Sequence, residues 1–141
     1  MQYLYEKDLK DKFWEHYKKR KSVLKYQFEC QARDGGVDLL TVEDVHGEYQ
    51  FCAFEFKLSD IKKAFAQAEA NLPFVNKSFI VVPVEKEELI RNKYLSYLRE
   101  KRYIGVIGVE QSGRWKMIHQ PYAQHTIIMN QEILKLIIRG Y

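Results

Sequence analysis

The hydrophobic positions of this chain repeat with two periods that take turns along it. Over residues 3–20, Leu9, Phe13 and Tyr17 recur every four positions, and Tyr5 and Trp14 widen the stripe. Charged residues fill the remaining positions, which predicts an amphipathic helix. At "SVLKYQFECQA" the period drops to two: Val23, Lys25, Gln27 and Glu29 alternate with Leu24, Tyr26, Phe28 and Cys30, the signature of a strand. "RDGG" reads as a turn, "VDLLTVEDV" as a second strand, "HGE" as a tight turn and "YQFCAFEFKL" as a third strand, so an antiparallel meander is expected.

Beyond it the helical period returns. Ser59 and Asp60 offer an N-cap for a helix running to about Asn71, with Ile61, Phe65 and Ala68 on one side and Pro73 helping to end it. "KSFIVVPV" and "YIGVIGVE" are short apolar runs suited to strands buried on both faces, separated by one helix over "EKEELIRNKYLSYLREKR" whose apolar line is Leu89, Tyr94 or Leu95, and Leu98. "RWKMIH" is expected to be a short edge strand, and "NQEILKLIIRG" a C-terminal helix ending at Gly140. The order α-β-β-β-α-β-α-β-(β)-α predicts an α/β fold, one domain over residues 1–141, with a central mixed sheet flanked by helices.

Composition agrees and narrows little. The 141 residues are 46% hydrophobic and 30% charged, the profile of a globular chain able to bury a core. No apolar run approaches the roughly 20 residues that span a bilayer, so no membrane partner is expected. The opening "MQYLYEKDLKDKFW" is charged and aromatic, unlike a secretory signal. Cys30 and Cys52 lie in expected strands without metal-ligand spacing and read as reduced thiols of a cytoplasmic protein. A net charge of +4, partly clustered in "KKRK" at 18–21 and "REKR" at 99–102, tolerates a polyanion without announcing one.

The chemistry lies in "FCAFEFKLSD". Side chains alternate along a strand, so Glu55 and Lys57 share a face about 7 Å apart at ~3.3–3.4 Å per residue. A solvent-exposed ion pair there is worth little. An exposed face, however, would carry polar residues at 51 and 53 as well, and those positions are Phe51 and Ala53. A charged pair at the end of an apolar face suggests a pocket. The hairpin turn at 46–48 further brings the region of Asp38 opposite 55–57, so an aspartate, a glutamate and a lysine are expected to converge at one end of neighbouring strands.

Taken together, "GGVDLL" and "CAFEFKLSD" resemble the active-site signature of the PD-(D/E)xK phosphodiesterase superfamily, the restriction-endonuclease-like and Holliday-junction-resolvase-like nucleases. Asp38 matches its aspartate, although Val37 stands where the signature has proline, and Glu55-Phe56-Lys57 matches E-x-K. The αβββαβ order is similar to the superfamily's core, and the likeness covers roughly residues 6–120. The resemblance implies a Mg²⁺-dependent endonuclease, with Mn²⁺ as substitute, hydrolysing phosphodiester bonds of nucleic acid, most simply DNA, in repair, recombination or phage-related processing. It implies Asp38, Glu55 and Lys57 as catalytic residues, and Asp38, Glu55 and the Phe56 carbonyl as metal ligands. Lys63 and Gln67 of the following helix would face substrate, and Glu6 of the first helix is an additional candidate, with Glu29 a weaker one. Hard carboxylate oxygens suit Mg²⁺, and a lysine suits the scissile phosphate and the attacking water.

Other chemistries find no support. The four histidines show no zinc spacing, and no phosphate-binding loop or serine elbow is present. No separate recognition domain is visible, so structure-directed or nonspecific cutting is expected over sequence-specific cutting, and a homodimer or another partner could supply any such specificity. The alternative on the same fold is a nucleic-acid-binding or interaction module without catalysis.

Overall fold

The computed structural model describes residues 3–139. Helix α1 (Glu6–Tyr17) leads into the meander β1 (Val23–Cys30), β2 (Val37–Val45) and β3 (Glu48–Phe56). Helix α2 (Ile61–Asn71) crosses to β4 (Lys77–Pro83); helices α3 (Glu87–Lys93) and α4 (Leu95–Glu100) cross to β5 (Ile104–Val109). Strand β6 (Trp115–His119) and helix α5 (Gln131–Arg139) follow. All six strands join one mixed sheet in the order β1-β2-β3-β4-β5-β6, with β3, β4 and β5 parallel and the other neighbours antiparallel.

The meander forms because its turn suits its twist. Val45 pairs with Glu48, leaving His46 and Gly47 as a two-residue turn with φ of 53° and 86°, and Asp44 Oδ1 accepts the Gly47 N–H at 2.8 Å. Positive φ at both central residues matches the right-handed twist of the flanking strands.

Alternation then sorts the core onto two faces. Leu39, Phe54, Phe56, Phe79, Val81, Ile107 and Val109 pack on one face against Leu9, Phe13, Trp14 and Tyr17 of α1. On the other, Ile80, Val82, Ile104 and Val106 meet α2, α3 and α4, while Leu40, Val42, Phe51 and Ala53 meet Ile133 and Leu136 of α5. Helices therefore cover both faces of the sheet.

Two expectations need correction. The first helix is shorter than residues 3–20: Tyr5 is extended at the N-cap and 68% exposed, outside the buried stripe. The helix over 85–102 is broken at Tyr94, where φ of −117° and ψ of 9° leave the helical region. The break sets the Tyr94 and Tyr97 rings 5.0 and 4.7 Å from that of Phe65. Its buried anchors are Ile90 and Leu98, whereas Leu89 and Leu95 are exposed. The expected end of the last helix, Gly140, lies outside the described residues.

Candidate functional site

Register decides which charges meet. Leu39 pairs with Phe54, so one step further along the antiparallel ladder Asp38 stands opposite Glu55. Two hydrogen bonds tie the pair: the Phe56 N–H donates to Asp38 Oδ2 at 3.0 Å, and the Asp38 N–H donates to Glu55 Oε2 at 3.4 Å. Glu55 is buried and Asp38 partly so.

A buried carboxylate needs partners, and Glu55 takes them from two other elements. Asn71, fully buried at the end of α2, donates its Nδ2 to Glu55 Oε2 at 2.9 Å. Arg33, from the turn between β1 and β2, lies 3.7 Å from the same oxygen and donates its Nε to Asn71 Oδ1 at 2.5 Å. These partners do not fully offset the site. Burial, then the charge of Asp38, push the Glu55 carboxyl up from 4.5 to about 7.

Asp38 also lines a cavity of about 210 Å³ with Phe56, Glu6, Lys7, Lys10 and Glu29. Glu6 reaches it because α1 begins beside the end of β3, where Lys57 Nζ lies 3.7 Å from Glu6 Oε1. Glu29 reaches it because Phe28 pairs with Leu39 and Cys30 with Val37, which puts Glu29 beside Asp38. Glu29 has a φ of 50°, a left-handed conformation costly for a residue with a Cβ. There the strand alternation lapses: Tyr26 and Phe28 pack on the α1 face, while Cys30 and Val37 join the cluster beneath α5.

The expected residues thus fall into three groups. Asp38, Glu55 and Phe56 are in direct contact at adjacent strand ends. Lys57 joins them through its ion pair with Glu6 rather than by facing Glu55, whose partners are Arg33 and Asn71. Lys63 and Gln67 stay apart: Lys63 is exposed, and Gln67 is half-buried with its Oε1 unpartnered among the described residues. Their helical line does reach the site, at Asn71, eight residues and about 12 Å beyond Lys63 at 1.5 Å per residue. Sequence reasoning missed Asn71 and Arg33. The spacing 63–67–71 carried a signal for the first; nothing in "RDGG" marked the second.

The contacts converge on one oxygen of each carboxylate, Oδ2 of Asp38 and Oε2 of Glu55; among the described residues the other oxygen of each takes no hydrogen bond or ion pair. Among the described residues no group of three or more His, Cys, Asp or Glu side chains is arranged to hold a metal ion. A two-carboxylate donor set suits a hard cation that keeps waters and takes substrate phosphate, the habit of Mg²⁺, and does not suit a metal needing a closed cage.

Among known proteins, no family model, no curated protein and no solved structure matches this chain.

Proposed function

We propose that the chain is a divalent-metal-dependent phosphodiesterase that cuts nucleic acid, DNA in the first instance. The observation that carries this reading is the opposed carboxylate pair, Asp38 and Glu55, tied to the backbone of Phe56 at the ends of β2 and β3. Support comes from the order α1-β1-β2-β3-α2-β4, which resembles the restriction-endonuclease-like core of the PD-(D/E)xK enzymes, and from D…E-x-K at the matching strand positions.

In this reading Asp38 and Glu55, with the Phe56 carbonyl by resemblance, hold Mg²⁺ or Mn²⁺. The bound cation supplies Lewis-acid neutralisation to the scissile phosphate. Asn71 and Arg33 keep Glu55 in one orientation, so the ligand does not swing when substrate arrives. Lys7 and Lys10 line the cavity beside Asp38 and attract the phosphate backbone. Lys57 orients the attacking water and helps to neutralise the negative charge developing on the phosphate, and Glu6 holds its ammonium at the cavity until then. Lys63 and Gln67 serve substrate further along α2.

The Lys57–Glu6 ion pair also favours the second reading, a binding module whose lysine is neutralised. Incubation of the purified chain with labelled duplex, four-way junction, single-stranded DNA and RNA in Mg²⁺ or Mn²⁺ separates the two. The nuclease reading expects cleavage of at least one substrate, abolished by EDTA and by Asp38→Ala or Lys57→Ala. Salt-sensitive binding without cleavage supports the module, and cleavage that survives both substitutions assigns the activity elsewhere.

A further inference from the structure

A second concave site lies at the other end of the sheet, where the basic run at 99–102 meets the segment after β6. Leu98 and Pro121, both buried, form the apolar floor of a cavity of about 630 Å³. Arg99, Arg102, His119 and Tyr122 line it, and no carboxylate does. Among the described residues neither arginine makes a salt bridge.

The site is built, not incidental. The Tyr122 N–H donates to the Arg102 carbonyl at 2.8 Å, which fixes the two residues side by side. The Arg102 guanidinium then lies 5.0 Å from the centre of the Tyr122 ring, a cation–π contact. Gly105 lets Pro121 close over the start of β5: a Cβ there would sit 2.7 Å from the proline ring. Tyr122 is 65% exposed, so its ring offers area that the fold leaves uncovered. Burial and the nearby Arg91 charge hold the His119 imidazole below its ordinary range, in the neutral form that both donates and accepts hydrogen bonds.

We propose that this cavity binds a nucleotide unit, its phosphate on Arg99 and Arg102 and its base against Tyr122. The volume is that of a small-molecule site, the paired arginines match a phosphate, and an exposed tyrosine is a stacking platform for any base. His119 is placed to read a base or sugar edge. The unit is either a free mononucleotide or one residue of a strand; the chemistry is the same. This inference stands on residues remote from Asp38 and Glu55, so it is tested in EDTA, where the proposed cleavage is off and the strand stays intact.

The experiment is fluorescence anisotropy of a labelled thymidine dodecamer with the full chain in EDTA, together with competition by adenosine monophosphate and by inorganic phosphate. Arg102→Ala and Tyr122→Leu are each expected to weaken dodecamer binding by about fivefold or more. Lys19→Ala, which removes one charge from the far end of α1, is expected to change it less than about twofold. Competition by the mononucleotide that matches the dodecamer per site identifies a free-nucleotide site; a much tighter dodecamer identifies a strand. Unchanged binding in both cavity variants, an equal loss in Lys19→Ala, or phosphate competing as well as the mononucleotide overturns the proposal. Circular dichroism of each variant checks that the fold is intact, and both target side chains are exposed.

Discussion

Asp38 and Glu55 face each other across β2 and β3, each bonded to the other strand's backbone: the Asp38 N–H reaches Glu55 Oε2 at 3.4 Å and the Phe56 N–H reaches Asp38 Oδ2 at 3.0 Å. Two carboxylates this close repel unless a cation or a proton intervenes. Arg33, at 3.7 Å from one oxygen, is a partial answer. A divalent cation would be a fuller one.

The proposed metal site is tested at that deficit. Calorimetric titration of Mn²⁺ is expected to show a site in the wild type whose affinity falls at least about tenfold in Asp38→Asn and in Glu55→Gln. Added metal should raise the unfolding temperature of the wild type more than that of either variant. Equal affinity in all three proteins would remove the pair from the metal site.

The metal-free protein should lose stability as pH rises. Burial and Asp38 raise the folded-state Glu55 carboxyl to about 7 from 4.5. The folded state therefore holds the proton more tightly than the unfolded state does. This contribution is fully present below pH 4.5 and is lost as pH rises through 7. Thermal unfolding in EDTA from pH 5.5 to about 8.5 should show a falling transition temperature in the wild type and a flatter curve in Glu55→Gln. Parallel curves would contradict the stated origin of the shift.

Asn71→Ala tests the support beneath Glu55. The substitution strips a partner from the buried Glu55 carboxylate and another from the Arg33 guanidinium. Leaving buried polar groups unmatched costs roughly 1–3 kcal/mol, more for charged ones. Urea unfolding should report a loss of that size, and turnover of any cleaved substrate should fall more than its affinity. A stability unchanged to within experimental error would show that Asn71 is incidental.

The aromatic core makes a firmer demand. Phe54 is fully buried, stacked 5.2 Å from Phe79 and packed against Phe13 and Tyr17 at 5.8 and 5.3 Å. Phe54→Ala should destabilise the protein by about 3–5 kcal/mol in denaturant titration. A loss below about 1 kcal/mol would mean that this face of the sheet repacks freely.

How much of this was legible follows from the range of each interaction. The meander was readable because alternation and the His46-Gly47 turn are local, and the opposition of Asp38 to Glu55 follows from that register. The end of α1, the break at Tyr94 and the left-handed φ of Glu29 were not readable. The break is set by packing between elements: Tyr94 and Tyr97 bend toward Phe65, which lies on another helix. Lys57 shows the same divide. Its position on the strand end was clear from period two, but its partner comes from α1, some fifty residues earlier in the chain. Asn71 meets Glu55 through the packing of α2 on the sheet, and Arg33 through the fold of the turn between β1 and β2.

The most direct test of the central claim is single-turnover nicking of supercoiled plasmid by the purified chain as Mn²⁺ or Mg²⁺ is titrated, beside Asp38→Asn and Lys57→Ala. The account predicts nicking that depends on the cation, vanishes in EDTA and drops at least about 100-fold in each variant. Nicking that persists unchanged in Asp38→Asn, or a wild type that binds DNA and never cuts it with either metal, would contradict it.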